Sequence, residues 1–230
     1  MTWKDINVFQ WQQLIELFAQ KDSGLTELDM DVKAAAIVMD LTEHQIDSLP
    51  TAELKSILQQ IRFIYQELKP QPVKYIQVKG KRYRCIYDVR QIPAARYIES
   101  KYFDTDRVGN LHKLAACMVM PQKRNWLGMW VDDRFDAAKH ADYAQDMLSA
   151  PITAVLGSVV FFYQVYTNWI KSSKDYLTKE MMNQGMSKYQ AEKLYIHLCK
   201  IMDGFIKPNL LLTMKPSGWR RFISYLQSNS

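Results

Sequence analysis

The chain has 230 residues, 48% hydrophobic and 23% charged, which supplies a sizeable core and is too apolar for a disordered protein. Eight Gly and eight Pro are few for a sandwich of many tight turns, so long helices are expected. The formal charge of +6 is uneven, with −5 over residues 1–69, +8 over 70–125 and +3 over 126–230.

In chain order, Phe9, Trp11, Leu14, Ile15, Leu17 and Phe18 are spaced for a helix over Val8 to Gln20, ended by Ser23-Gly24. A second helix is predicted from about Leu25, with Leu28, Val32, Ala35, Ala36 and Met39 on one side. Thr42-Glu43-His44-Gln45 has the form of a capping box that starts a short turn. Thr51 is the expected N-cap of the next helix, whose apolar stripe runs through Leu54, Ile57, Leu58, Ile61, Ile64 and Leu68.

Pro70-Gln71-Pro72 then ends the helical, acidic stretch. Val73–Val78 and Arg82–Tyr87 are rich in β-formers, and Lys79-Gly80-Lys81 between them provides the positive φ of a tight turn, so this stretch is read as one β-hairpin. Two strands alone are marginal in water, so the hairpin must pack on helices or pair with another strand. Further helices are predicted over Ile92–Phe103, Asn110–Met120 (closed by Pro121), Ala137–Leu148, Pro151–Ile170, Lys171–Met182, Ser187–Met202 and Gly218–Leu226, with Ser187 as an N-cap. Pro121–Phe135 has no clear pattern.

The hairpin segment concentrates Lys74, Lys79, Lys81, Arg82, Arg84, Arg90 and Arg96, with Tyr75, Tyr83 and Tyr87 interleaved. Such a segment suits an acidic protein, the acidic helices of a second copy, or single-stranded nucleic acid with bases stacked on the tyrosines. The same charges also serve to discourage edge-to-edge pairing of a sheet. Residues 147–170 contain no charged side chain, but Pro151, Thr153, Gly157, Ser158, Gln164, Thr167 and Asn168 interrupt them, which favours a buried helix over a membrane span. Asp132, Asp133, Asp136 and His140 form an acidic cluster, read as a helix start rather than a metal site because no second His or Cys lies near. No nucleotide loop or nucleophile–base motif is recognisable, so neither a catalytic activity nor a cofactor is expected. Cys85, Cys117 and Cys199 are far apart and outside any CxxC pair; they indicate neither a disulfide framework nor a zinc knuckle and fit a reducing cytosol. Met1-Thr2-Trp3-Lys4-Asp5 lacks the basic-then-apolar pattern of a secretory signal.

The order of the first half, namely Trp11-Gln12-Gln13-Leu14, Ile37-Val38-Met39, Leu41 to Pro50, the Leu54–Leu68 helix, the Val78-Lys79-Gly80-Lys81-Arg82-Tyr83 hairpin and Ile92-Pro93-Ala94-Ala95-Arg96-Tyr97-Ile98, resembles the tail assembly chaperones and related small morphogenesis proteins of tailed bacteriophages. That resemblance implies a non-enzymatic protein, in the bacterial host cytoplasm during assembly, that binds phage structural proteins of the tail or neck, often in repeated copies. A neck or tail ring subunit retained in the virion, packaged cargo, and a single-stranded nucleic-acid binder are the alternatives. The expected fold is mainly α, a helical bundle with one inserted β-hairpin at about 73–87, in three units: 1–69, 70–103 and 104–230. The residues expected to contact a partner are Lys79, Lys81, Arg82, Tyr83 and Arg84, with Trp126 and Trp130 as anchors, because Trp, Tyr and Arg dominate interface energetics.

Overall fold

The computed structural model describes residues 1–19, 24–88, 106 and 108–203. It is mainly helical, with helices α1 (Val8–Ala19), α2 (Glu27–Met39), α3 (Glu43–Asp47), α4 (Thr51–Gln60), α5 (Leu111–Cys117), α6 (His140–Leu148), α7 (Ile152–Ser172), α8 (Lys174–Asn183) and α9 (Lys188–Asp203). The helices expected over 92–103 and 218–226 lie outside the described residues.

Local chemistry sets the helix starts. Thr42 and Gln45 exchange the two hydrogen bonds of the anticipated capping box, at 3.2 and 2.8 Å, and Thr26 with Asp29 does the same for α2. Ser187 and Gln190 close a third such pair ahead of α9. At α4 the expectation is corrected: the cap position falls on Pro50, whose carbonyl accepts from Glu53 and Leu54, and Thr51 is the first helical residue. The stripe that follows tightens into a 3-10 turn over Ile61–Tyr65, which buries Ile61, Phe63 and Ile64.

The single hairpin is also corrected. Strands β1 (Tyr75–Val78) and β2 (Lys81–Cys85) are half of a four-stranded antiparallel meander in the order β1-β2-β3-β4, completed by β3 (Val119–Arg124) and β4 (Trp130–Asp132). The third strand supplies what a lone hairpin lacks, pairing Arg82 with Gln122 and Cys85 with Val119. Pro121, expected to close a helix, sits inside β3 instead. Its carbonyl accepts from Asp133 just past the last β3–β4 pair, Gln122 with Asp132, so its missing N–H falls where that ladder ends.

Alternation along β2 sorts the hairpin's side chains. Tyr83 and Cys85 turn inward with Ile76, Val78 and Val119, whereas Arg82 and Arg84 share the outer face with Tyr75. The inward face belongs to one buried cluster running from Trp3 to Tyr163 in sequence. At its centre is α7, which buries Ile152, Val155, Leu156, Val159, Val160, Phe162 and Tyr163. Among the described residues no helix is long and apolar enough to cross a membrane. The N-terminal segment is tied to the start of α7 by Val8 N–H donating to Ala150 and Ile152 N–H donating to Ile6, at 3.0 and 2.9 Å.

One histidine links this packing to pH. His112 on α5 is half-buried, and Gln12 Nε2 lies 3.3 Å from its Nδ1, an arrangement suited to a neutral ring. Burial, with Lys113 and His140 nearby, lowers its pKa from 6.5 to about 4. The unfolded chain therefore binds a proton that the folded chain refuses. The stability contribution is complete above pH 6.5 and is lost as pH falls through about 4. Allowing for solvent screening, His112→Gln is expected to remove about 1–2 kcal/mol of acid-induced destabilisation, read as a flatter loss of denaturant midpoint between those pH values.

Candidate contact surface at the end of the sheet

The meander brings two turns to one end of the sheet. Pairing of Arg82 with Gln122 and of Arg124 with Trp130 places the β1–β2 turn beside the β3–β4 turn, so residues some 45 positions apart in sequence become neighbours. The first turn is a two-residue connection in which Lys79 and Gly80 both have positive φ, 50° and 74°. This geometry matches the twist of the flanking strands and leaves the Lys79 side chain exposed.

The second turn is a braced finger. Asn125 Oδ1 accepts from the backbone N–H groups of Leu127 and Met129 at 3.0 and 2.9 Å, while Asn125 N–H donates to the Met129 carbonyl at 2.8 Å. Gly128, at φ 76°, takes the left-handed position that the reversal requires. On this frame Trp126 is 90% exposed, Leu127 58% and Met129 55%. Three large apolar side chains in water on a hydrogen-bonded loop form a surface already shaped for contact.

The cations beside the finger are engaged to different extents. Lys81 Nζ is 2.7 Å from Asp146, Arg84 is 2.8 Å from Asp132 and Lys123 is 2.7 Å from Asp133. The Arg82 guanidinium carbon lies 3.6 Å from the centre of the Tyr75 ring and 5.7 Å from that of Trp130, and its Nε has no internal hydrogen-bond partner. Arg124 stands over Trp130 at 5.1 Å and is exposed, as is Lys79.

Tyr83 is a correction to the expected contact set. It is 2% exposed, and its hydroxyl donates to Asp146 Oδ2 at 2.5 Å beneath the sheet. Burial, then the hydrogen bond to the Asp146 carboxylate, raises its pKa and holds the phenol protonated. Asp146, on α6 and 4% exposed, thus accepts from both Lys81 and Tyr83. This is a buried polar cluster that fixes the sheet on α6, and Tyr83 belongs to it rather than to the surface.

The acidic cluster is divided between separate tasks. Asp132 and Asp133 neutralise Arg84 and Lys123, and Asp136 caps a 3-10 turn by accepting from Ala138 at 3.0 Å. The side chains of Arg84 and Lys123 lower the Asp132 and Asp133 pKa values, chiefly by hydrogen bonding. His140 Nε2 lies 3.4 Å from Cys117 Sγ, a buried thiol. Among the described residues no three His, Cys, Asp or Glu side chains are grouped to hold a metal ion.

Of the residues expected to make contact, Lys79, Lys81, Arg82, Trp126 and Trp130 stand at or beside the two-turn end, whereas Arg84, paired with Tyr75 and Met120, stands toward the other end of β2. Arg124, Leu127 and Met129, which stand at the same end as the two turns, were not among them, although Asn125 and Gly128 on either side of Trp126-Leu127 were a turn signal. No protein-family model, curated protein or solved structure matches the chain.

Proposed function

We propose that this is a non-enzymatic association protein whose contact surface is the two-turn end of the sheet, acting on a protein partner in the tail or neck assembly role that the phage resemblance implies. The observation that carries the reading is Trp126, 90% exposed at the tip of a finger braced by Asn125. An exposed Trp flanked by Leu and Met, with Arg beside it, has the composition of an interface hot spot, and bracing the loop beforehand reduces the ordering cost of binding. Single-stranded nucleic acid is the weaker reading. Two of the cations at this end, Lys81 and Lys123, already hold carboxylates, which lowers the charge available to phosphates.

The test uses tagged full-length protein recovered from cells that are assembling particles. Structural proteins should co-purify after nuclease treatment, and Trp126→Ala/Leu127→Ser should reduce their recovery about tenfold or more without lowering the melting temperature. Equal recovery by parent and variant contradicts the reading. Retention of single-stranded oligonucleotide that falls steeply with salt, with no protein recovered, puts the nucleic-acid alternative in its place.

A further inference from the structure

A second surface has chemistry complementary to the finger. Between α1, α2 and the start of α3 lies an open cleft of about 440 Å³, lined by apolar Phe9, Leu17, Ile37 and Leu41 together with Glu16 and Asp40. Phe9 is 52% exposed there, although it sits on a helix whose other large apolar side chains are mostly buried. Glu16 and Asp40 are exposed and have no ion-pair partner among the described residues, whereas Glu43, also at the cleft, is held by Lys33 at 2.9 Å. Asp40 caps the C-terminal end of α2 with φ 55°, so the partial negative charge of a 13-residue helix adds to its carboxylate.

We infer that the finger of one copy docks into the α1–α2 cleft of a second copy, with Trp126 and Leu127 against Phe9 and Ile37 and with Arg124 facing Glu16 and Asp40. Charge complementarity selects this occupant: Glu16 and Asp40 at the cleft and Lys79 and Arg124 beside the finger are all exposed, and none of the four has an ion-pair partner among the described residues. The cleft's volume falls within the range that encloses ligands of side-chain size and larger. Because the two patches are different surfaces of one chain, a single finger–cleft contact is head-to-tail, and its repetition gives a ring or an open filament unless two copies exchange fingers reciprocally. The inference rests on the sheet end being the contact surface and names a partner for it.

Mixing experiments test it, with light scattering after size-exclusion chromatography of the full chain at low and high salt. The parent should self-associate, less so at high salt. A finger variant, Trp126→Ala/Arg124→Glu, and a cleft variant, Glu16→Lys/Asp40→Asn, should each self-associate at least about tenfold more weakly. Mixed together they should form a dimer that grows no further, since one still has a cleft and the other a finger. All four positions are exposed, and the single changes Arg124→Glu and Glu16→Lys repeat the test with smaller perturbation. A parent that stays monomeric at low salt overturns the inference, as does a mixture that remains monomeric or a variant that associates as the parent does. Capture of tail or neck proteins by a monomeric parent would leave the proposed function standing while this inference fails.

Discussion

Gly157→Ala is expected to lower stability by about 2 kcal/mol, even though alanine is the better helix former. Gly157 lies in α7 where Gln71 crosses it, and a Cβ there would stand 2.3 Å from the Gln71 carbonyl oxygen and 2.6 Å from its nitrogen. Those atoms are backbone, so they cannot swing aside as a flexible side chain would. Relieving the overlap requires either α7 or the Pro70-Gln71-Pro72 crossing to move, a strain of about 3 kcal/mol offset by about 1 kcal/mol of helix propensity. For a chain of this length the loss corresponds to a melting temperature lower by about 4–8 °C. A variant melting at or above the parent would show that the crossing does not rest on this glycine. The sequence thus carries one relation that its local pattern did not display: the prolines that end the helical stretch lead the chain over the glycine in the second turn of the apolar helix.

Asp146→Ala is expected to cost about 3 kcal/mol, measured by denaturant unfolding. The carboxylate accepts from Lys81 at 2.7 Å and from the Tyr83 hydroxyl at 2.5 Å. Removing it leaves the buried phenol without its acceptor, whereas Lys81, whose side chain is 56% exposed, can return to water. Most of the loss therefore falls on the Tyr83 side. In a Tyr83→Phe background the same substitution should cost less by about 1–2 kcal/mol, because the phenol that would be stranded is absent. Additive single and double changes would contradict the shared cluster. Lys81 also changes its role here, since it anchors the sheet to α6 as well as lying beside the finger.

What the sequence made legible follows from which forces are local. The apolar spacing of α1, the Thr42–Gln45 box and the charge-free run of α7 depend on neighbours within a few residues, and each was readable from spacing and capping. Strand β3 was not readable, because Val119-Met120-Pro121-Gln122-Lys123-Arg124 holds one β-branched residue and a proline, and its strand state depends on pairing with β2. Tyr83 looked like a surface residue for the same reason. Period-two alternation allowed it either face; the packing of its face with Ile76, Cys85 and Val119, and the acceptor Asp146 63 positions away, turn it inward. The surface cations were visible as a cluster in sequence; that two of them, Lys81 and Arg84, are neutralised by Asp146 and Asp132 is a property of the tertiary arrangement. The finger's apolar tip joined the candidate surface through the β2–β3 register, which no local pattern encodes.

The most direct measurement is site-specific photo-crosslinking in cells that are assembling particles, with the reactive side chain placed at position 126 and, as a control, at exposed Gln60 on α4. Discrete protein adducts at 126 and none at 60 are predicted. The absence of adducts at 126, or equal labelling at both positions, would mean that the finger meets no partner.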